Sequence, residues 1–398
     1  MKKLIIWLIV CFGFGVTSQA EAPRLSSNAQ ISLLTCSPGA ELYSLFGHSA
    51  MRVYDPNSDI DAVFNYGIFS FDEHFYFNFT MGRLNYKLGV QSMDGFVRSY
   101  QYEKRGVIEQ VLALDSAQKQ AVFDFLDWNY QPENRYYLYD FFYDNCSSRL
   151  RDVLQKALKD SNVEFKDLSY DHAPSFRTMI DEYLIYHPWG DFGIDLGLGM
   201  PCDKVPSAEE YMFLPNELMR AYDGASINNK PLVEEKRVLL TEAGLKTEWS
   251  LFNPVPLMWL FFGIIAGLSA IGWRRKRLFI GIDVFYLFLT GAVGALVFFL
   301  WFITDHNATA NNYNMLWAWP THILLIPMIF ISAVRKWYWL IYGAVLLITL
   351  LMFPFLPQDL HFATLPIILA GLLRSVVNIT WKNETIIQPA EQKQLDKK

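Results

Sequence analysis

Five apolar runs follow one another between residues 251 and 380 of this 398-residue chain. Each of the first four is close to the roughly 20 residues that a helix needs to cross a bilayer, and the fifth is weaker. The runs cover residues 255–273, 278–302, 316–334, 339–356 and 360–377. They predict an all-α transmembrane domain of about five helices over residues 251–380.

The charges between the runs indicate how the chain crosses the membrane. Residues 274–277 are all Lys or Arg, and Arg335 and Lys336 follow the third run, whereas the loops after the second and fourth runs carry neither residue type. Basic loops stay in the cytoplasm. This alternation predicts that the large N-terminal region lies outside the cytoplasm and that residues 381–398 form a cytoplasmic tail.

The N-terminus favours the same orientation. Residues 1–20 contain two lysines, then an apolar run, and end in a small-x-small cleavage site, which is typical of a secretory signal peptide. A retained anchor is the alternative, but the run is short for a membrane span. We expect the mature chain to begin near Glu21 and residues 21–250 to fold outside the cytoplasm.

The charge and the cysteines limit the partners and cofactors of the chain. Its net charge is −6 and it has no basic stripe, so a nucleic-acid partner is not expected. It has no C-x-x-C or H-x-x-x-H spacing, so neither a metal nor another cofactor is predicted. The cysteines beyond residue 20 are odd in number, which leaves at least one unpaired in an oxidising compartment. A Cys36–Cys202 disulfide that leaves Cys146 free is one pairing.

Residues 21–250 have the pattern of an α+β domain. Residues 49–54 and 62–68 predict a hairpin around a turn-rich loop. Two further strands and four helices are predicted from apolar spacing and capping residues. These strands are at 31–35 and 106–114, and the helices are at 115–128, from 144 or 145 onward, at 175–186 and at 208–221.

Cys146 stands at the beginning of one of these helices, in the motif Asn145-Cys146-Ser147. The positive end of the helix dipole favours a thiolate, so the pKa of a cysteine there falls. The N–H groups of the first turn, at Asn145 and Ser147 among others, have no helical partner and could hold an oxyanion. The alternative is that Cys146 is a small buried residue without a chemical role.

His48 lies at the head of a strand about a hundred residues before Cys146, in the motif Phe46-Gly47-His48-Ser49. An imidazole beside a thiol can take its proton and later return it, which is the minimum equipment for acyl transfer through a thioester. The alternative is a structural histidine. The two motifs together favour the catalytic interpretation, because the soluble region has few other histidines.

A third group should orient the imidazole, and Asn65 is the first candidate. If the hairpin pairs Tyr54 with Asp61, His48 becomes the diagonal neighbour of Asn65 on one face of the sheet. A slip of one residue would break this arrangement. The alternatives for this role are Asp55, Asp140 and Asp144.

Other residues near the two motifs are candidates for binding. Arg149 follows Cys146 by one turn, and either pairs with a carboxylate on the helix surface or contacts a phosphate. The aromatic residues Tyr139, Phe141, Phe142 and Tyr143 could keep water away from a thioester. The polar loop at residues 305–314 lies on the outer side, and is either a solvated loop or a contact for a lipid headgroup or peptide.

Several motifs of the chain resemble the Lnb-type lipoprotein N-acyltransferases over nearly the whole mature length. The most specific is the long stretch at residues 139–152, Tyr-Asp-Phe-Phe-Tyr-Asp-Asn-Cys-Ser-Ser-Arg-Leu-Arg-Asp. The others are at residues 35–39, 46–49, 64–67, 175–177, 188–190 and 213–215, and in the Asn-rich loop before Pro320.

The resemblance implies a circularly permuted papain-like (NlpC/P60-like) domain followed by the membrane helices. It implies that Cys146 is the nucleophile and His48 the base, and it leaves the role of Cys36 open. It also implies the reaction, in which an acyl chain moves from a membrane phospholipid to the α-amine of a diacylglyceryl lipoprotein. The enzyme would then lie in a bacterial inner membrane with its catalytic domain in the periplasm.

Two other functions remain open from the sequence. The same residues could serve a membrane-anchored cysteine hydrolase that acts on cell-wall peptides or on phospholipids. Several membrane spans argue against wall hydrolysis, which needs one tether at most. Alternatively, the outer domain could be a binding module without enzymatic activity.

Overall fold

The computed structural model describes residues 23–69, 73–166, 168, 170, 172–244 and 250–381. The predicted signal peptide and nearly all of the predicted tail lie outside these residues. A sheet-rich α+β region comes first and a helical region with long apolar helices follows, as predicted. The elements of the first region are β1 Gln30–Cys36, β2 His48–Asp55, β3 Ile60–Ile68, α1 Phe75–Thr80, β4 Asn85–Ser92, α2 Met93–Tyr102, β5 Val107–Leu112, α3 Ser116–Tyr130, β6 Tyr136–Leu138, α4 Cys146–Ala157, β7 Val163–Glu164, α5 Phe176–Leu184, α6 Pro188–Gly197, α7 Pro215–Gly224, β8 Ser226–Ile227, β9 Lys230–Pro231 and β10 Val233–Leu240.

The main sheet has seven strands in the order β10-β5-β1-β2-β3-β4-β6, and each neighbouring pair is antiparallel. Strands β2 and β3 form the predicted hairpin, and Tyr54 pairs with Asp61, which is the register that the arrangement of His48 beside Asn65 requires. Helix α4 buries Leu150, Val153 and Leu154 against this sheet, because apolar residues recur on one helix face. The packing brings the N-terminus of α4 close to the start of β2.

The helix predicted at residues 208–221 is wrong in its extent. A 3₁₀ helix covers Glu210–Phe213, Leu214 is extended with φ −92° and ψ 139°, and α7 begins at Pro215. A proline disfavours the helical region for the residue before it and is well tolerated at the first helical position. Pro215 therefore indicates a break in the helix at Leu214, although the apolar spacing continues across it.

In the membrane region, three of the described helices are long and apolar enough to span a bilayer. They are α8 Pro254–Arg274, α9 Ile280–Phe302 and α11 Ser332–Met352, and the shorter apolar helix α12 covers Thr364–Thr380. The third predicted span is wrong as one continuous helix. It consists of the short helix α10, Thr321–Leu325, and a 3₁₀ helix at Ile326–Phe330, because Pro327 cannot donate a backbone hydrogen bond within a longer helix.

An ion pair is buried among the membrane helices. The carboxylate of Asp283 accepts hydrogen bonds of 2.7 and 2.9 Å from the guanidinium of Arg374, and Asn378 donates a third. The position of Asp283 near the cytoplasmic end of the second apolar run predicts partial exposure or pairing with Arg274, and both expectations are wrong, since Asp283 is buried and Arg274 is exposed at the end of α8. A charge within a bilayer is costly unless it is paired, so this contact fixes α12 against α9.

The Asn-rich outer loop joins the two regions, so it is not simply a solvated loop. Asn312 donates a hydrogen bond of 2.8 Å to the carbonyl of Leu196, and Asn314 donates one of 3.1 Å to that of Asp195. Both asparagine side chains are buried. The loop is polar because it satisfies the carbonyl groups at the end of α6, which have no helical partner.

Candidate active site

Cys146 is the first residue of α4, and Asn145 caps this helix. The Asn145 Oδ1 accepts hydrogen bonds from the N–H groups of Ser147 and Ser148, and its Nδ2 donates to the carbonyls of Phe141 and Phe213. Asn145 is buried. The cap therefore holds the start of α4 rigidly, and the Cys146 sulfur occupies the positive end of the helix dipole.

His48 begins β2 and its imidazole lies near the Cys146 sulfur, close enough to lower the pKa of the thiol. The residue before it, Gly47, has φ +79°, and a Cβ there would lie 2.6 Å from the carbonyl oxygen of Cys36. Only glycine fits this left-handed turn at such a close approach. The glycine thus allows the chain to enter β2 with the imidazole facing the cysteine.

Asn65 holds the other side of the imidazole. Its Oδ1 lies 3.2 Å from His48 Nε2, while its own Nδ2 donates a 3.1 Å hydrogen bond to the carbonyl of Val63. Because the amide nitrogen is used for Val63, Oδ1 is the acceptor and Nε2 carries the proton. Nδ1 is then the ring nitrogen left to exchange a proton with Cys146.

The three alternatives to Asn65 are occupied elsewhere. Asp55 accepts hydrogen bonds from Ser26 and Ser58 in the β2–β3 turn, Asp140 accepts from the N–H groups of Phe142 and Tyr143, and Asp144 pairs with Arg149. The structure thus brings together Cys146, His48 and Asn65 from three separate parts of the chain.

The environment of the Cys146 thiol favours its ionised form. Burial opposes ionisation, but the nearby His48 imidazole, the backbone N–H of Ser49 and the hydroxyl of Ser147 outweigh it, so the pKa of Cys146 lies below its ordinary value. A thiolate is the nucleophilic form of cysteine. Cys146 therefore has the electrostatic setting of a reactive cysteine.

Alkylation tests this electrostatic setting without a substrate. We expect the rate of iodoacetamide alkylation of Cys146 to rise with pH at a lower midpoint in the folded protein than in denaturant, because only the fold supplies the groups that stabilise the thiolate. The Cys146 peptide is followed by mass spectrometry, and the same peptide from denatured protein is the control. Coincident midpoints would contradict the assigned environment.

The oxyanion site differs from the one predicted. The N–H of Ser147 is used by the Asn145 cap, and the Ser147 hydroxyl lies 3.0 Å from that of Ser49 in the core. Asn145 is likewise a helix cap and not a substrate contact, because its side chain satisfies four backbone groups. Its own N–H donates to Ser148 Oγ. The N–H of Cys146 is the donor at the helix start that this cap does not occupy, and it lies next to the sulfur.

Arg149 and Tyr143, the other two predicted binding residues, have their contacts with other side chains. Arg149 forms a two-point ion pair with Asp144 at 2.5 and 2.7 Å and stacks over the Tyr137 ring at 3.8 Å. This is the surface pairing expected for it and leaves no unpaired fork for a phosphate. Tyr143 is 46% exposed and packs edge-on against Phe176.

The expected Cys36–Cys202 disulfide is wrong. Cys36 lies in β1 opposite His48, while Cys202 lies in a separate cluster and donates to the carbonyl of Ala308. Burial raises the pKa of each thiol to about 12, so neither is a nucleophile near neutral pH. Cys36 is a packed thiol beside the site.

Three carboxylates outside the site lie close together at the junction of the two regions. The side-chain oxygens of Asp181, Asp191 and Asp195 are within 4.8 Å of one another. Arg177 pairs with Asp195 and Asp203, and His361 lies 3.3 Å from Asp191. Burial raises the pKa of Asp181 to about 8. The Arg177 guanidinium and a protonated Asp181 carboxyl stabilise this cluster, so it is explained as part of the junction between the two regions.

Sequence reasoning missed the roles of some groups around the sulfur. Ser49 and Ser147 stabilise the thiolate, and Gly67, with φ +89° in a bulge of β3, would place a Cβ 4.0 Å from that of Cys146. Burial, and secondarily the charge of Cys146, raise the pKa of Tyr139. Ser49 and Gly67 belong to the motifs that contain His48 and Asn65. Their closeness in sequence to these two candidates is the signal that could have identified them.

Asn65 is a positioning residue, and its removal should slow the reaction moderately. We expect Asn65→Ala to lower acylation of Cys146 about tenfold, the equivalent of roughly one hydrogen bond, because the imidazole loses its orientation. Asn65→Asp retains the acceptor and should restore most of the rate while shifting the pH profile upward, since a carboxylate favours the imidazolium. Equal losses in both variants, with unchanged pH profiles, would instead indicate a packing role.

Comparison with known families gives two matches. Residues 23–181 match the model of the Lnb N-terminal periplasmic domain, and residues 246–385 match that of the Lnb transmembrane domain. No curated protein and no solved structure matches the chain. The two matched segments include His48, Asn65 and Cys146 and the apolar helices that follow.

Proposed function

The chain belongs to the Lnb family and is a membrane protein with a periplasmic domain. On this premise we propose that it is a lipoprotein N-acyltransferase. In this proposal an acyl chain moves from a membrane phospholipid to the α-amine of a diacylglyceryl lipoprotein through a thioester on Cys146. The observation that carries the proposal is the cluster of Cys146, His48 and Asn65, in which the imidazole lies near the sulfur and is hydrogen-bonded to Asn65, in a domain joined to membrane helices.

In the first half-reaction His48 accepts the thiol proton of Cys146, and the thiolate attacks an ester carbonyl of the phospholipid. The N–H of Cys146 faces the developing oxyanion at the positive end of α4. The C–O bond to the glycerol oxygen then breaks, and the imidazolium protonates this oxygen. A lysophospholipid leaves, and the acyl group stays on sulfur.

In the second half-reaction the neutral α-amine of the lipoprotein attacks the thioester carbonyl. His48 accepts the proton that the nitrogen loses, the C–S bond breaks, and an amide forms. The thiolate and the imidazolium are thereby restored. The Nε2–H bond to Asn65 keeps the same ring nitrogen directed at Cys146 in both half-reactions.

Both substrates are lipids or lipid-anchored, which gives the attached membrane region a purpose. Hydrogen bonds connect the two regions, with Gln358 donating to the carbonyl of Leu198 and Asn312 donating to that of Leu196. In this proposal such contacts keep the periplasmic domain close to the bilayer that holds both substrates. The proposed location is the inner membrane of a bacterium, where both substrates occur in one bilayer.

Water must be excluded from the thioester, or the enzyme becomes a hydrolase. Phe141 and Phe142 lie in a packed aromatic cluster with Phe46 and Phe213, at centroid distances from 4.8 to 6.0 Å. Phe46 immediately precedes the Gly47-His48 turn. This cover supports transfer to an amine over hydrolysis. The papain-like permutation, with the histidine before the cysteine, stays a prediction.

Mass spectrometry of lipoprotein N-termini tests the proposed function. We expect lipoproteins from cells that express the chain to carry an amide-linked acyl group, and those from cells without it to have free α-amines. Reconstitution with phospholipid and a diacylglyceryl peptide should yield lysophospholipid and acylated peptide in equal amounts. Free fatty acid in place of acylated peptide would identify a hydrolase and overturn the proposal.

A further inference from the structure

We propose that α1 is a membrane-binding element that inserts its aromatic side chains into the periplasmic surface of the bilayer and delivers phospholipid acyl chains to Cys146. The first part of this inference concerns binding alone, and the second rests on the proposed function. The occupant of the surface is the lipid bilayer to which the membrane helices already confine the protein.

Helix α1 presents large apolar side chains to its surroundings. Tyr76, Phe77 and Phe79 are 74%, 62% and 50% exposed, although the helix has only six residues. Aromatic residues with this exposure are costly in water but are typical of the boundary between lipid headgroups and acyl chains. The composition of α1 therefore matches a bilayer surface.

The position of α1 places it at that surface. The turn after the helix contacts the chain just beyond α9, because the carbonyl of Met81 accepts a 2.9 Å hydrogen bond from the N–H of Asp305 and the Arg83 guanidinium pairs with the Asp305 carboxylate at 2.8 Å. Asp305 follows the last residue of the spanning helix α9 by three positions. The exposed aromatic side chains are thus continuous with the outer end of the membrane domain.

A series of aromatic rings connects α1 with the catalytic cysteine. The ring centroids of Phe75 and Phe69 are 5.3 Å apart, those of Phe69 and Tyr86 are 5.1 Å apart, and those of Tyr86 and Tyr139 are 4.6 Å apart. Tyr139 and Cys146 both pack against the same hydrophobic core cluster of the sheet and α4. An acyl chain that follows these rings leaves the bilayer on an apolar surface and ends at the sulfur.

A cavity of about 220 Å³ lies along this series and contains two basic residues. Its lining includes Phe69, Phe75, Phe79, Arg83 and Lys87. Since Arg83 is paired with Asp305, Lys87 is the residue that would supply positive charge for a phosphate, and the aromatic side chains would supply the apolar surface that an acyl chain needs. An apolar peptide would not need the positive charge, so aromatic and basic side chains together favour a phospholipid over such a peptide.

A depth measurement tests membrane binding without the reaction. In a Cys146→Ser background, Phe77→Cys is labelled with the fluorophore NBD, and the full chain is reconstituted in vesicles of phosphatidylethanolamine and phosphatidylglycerol. We expect nitroxide-labelled lipids to quench this label but not the same label at Tyr102→Cys, a position that is 90% exposed on α2. Equal or absent quenching at both positions would overturn the inference.

A second measurement tests delivery of the acyl chain. Replacing Tyr76, Phe77 and Phe79 together by Ser should slow thioester formation from phospholipid vesicles at least about tenfold, because the apolar contact with the bilayer is lost. Thioester formation from a short-chain, water-soluble ester should be unchanged, which also shows that the variant is folded. Tyr102→Ser is the matched control and should retain both rates.

The two measurements separate this inference from the proposed function. Quenching at position 77 in a protein that forms no thioester from phospholipid would refute the proposed function and uphold membrane binding by α1. Full activity of the triple variant on vesicles would refute delivery through α1 and leave the acyltransferase proposal standing.

Discussion

Cys146→Ser is expected to abolish acyl transfer and leave the fold intact. A serine hydroxyl does not ionise near neutral pH, so the groups that stabilise a thiolate at the start of α4 no longer yield a nucleophile. We expect the rate of lipoprotein acylation to fall at least about 10⁴-fold. Losses of this size are typical when an enzyme loses a covalent nucleophile that acts together with its base. Mass spectrometry of the acylated peptide gives the rate.

The matched control is Cys202→Ser. The Cys202 sulfur donates to the carbonyl of Ala308, a hydrogen bond that a hydroxyl can also make, and it lies outside the catalytic cluster. This variant should keep its activity, and both variants should unfold at nearly the wild-type temperature. A Cys146→Ser protein that still transfers acyl groups would exclude a thioester intermediate.

His48→Gln should have the next largest effect. The imidazole supplies the proton transfers of both half-reactions, and general acid–base catalysis of this kind contributes about 10²- to 10⁴-fold to a rate. The pKa of Cys146 should rise in the variant, because the interactions of the thiolate with His48 are lost while the opposing burial remains. The alkylation midpoint of Cys146 should therefore move to higher pH than in the wild type.

The direction of this shift separates a catalytic from a structural histidine. A structural histidine would change stability and leave the midpoint in place. His187→Gln is the control, because His187 precedes α6 and makes no side-chain capping bond there. Its rate and midpoint should match those of the wild type. An unchanged midpoint in His48→Gln would refute the assigned contact between the imidazole and the sulfur.

Much of the fold was predictable from local patterns. Hydrophobic length located the helices α8, α9 and α11, and strand propensity together with the turn-rich loop predicted the β2–β3 hairpin, in which Tyr54 pairs with Asp61. That register brings Asn65 beside His48, because side chains two positions apart share a face of a sheet. The family resemblance, which rested on the motifs around His48 and Cys146, was confirmed.

The errors have a common cause in the tertiary structure. The predicted disulfide and the Asp283–Arg274 pair failed because pairing was inferred from cysteine number and from closeness in sequence. The oxyanion role of Ser147 failed because the Asn145 side chain competes for the same N–H group. Each of these contacts depends on which groups meet in space, and composition and spacing do not determine that.

The sequence by itself determined the positions of the three long apolar helices α8, α9 and α11 and the residue types that are available for chemistry, because hydrophobic length and helix capping act over a few residues. Only the tertiary structure decided that Cys146, His48 and Asn65 meet at one point and that α1 lies against the outer end of α9. These contacts join residues far apart along the chain. The geometry of these contacts follows from the packing of α4 on the sheet and of the outer loop on α6. Local sequence patterns do not determine how such elements pack.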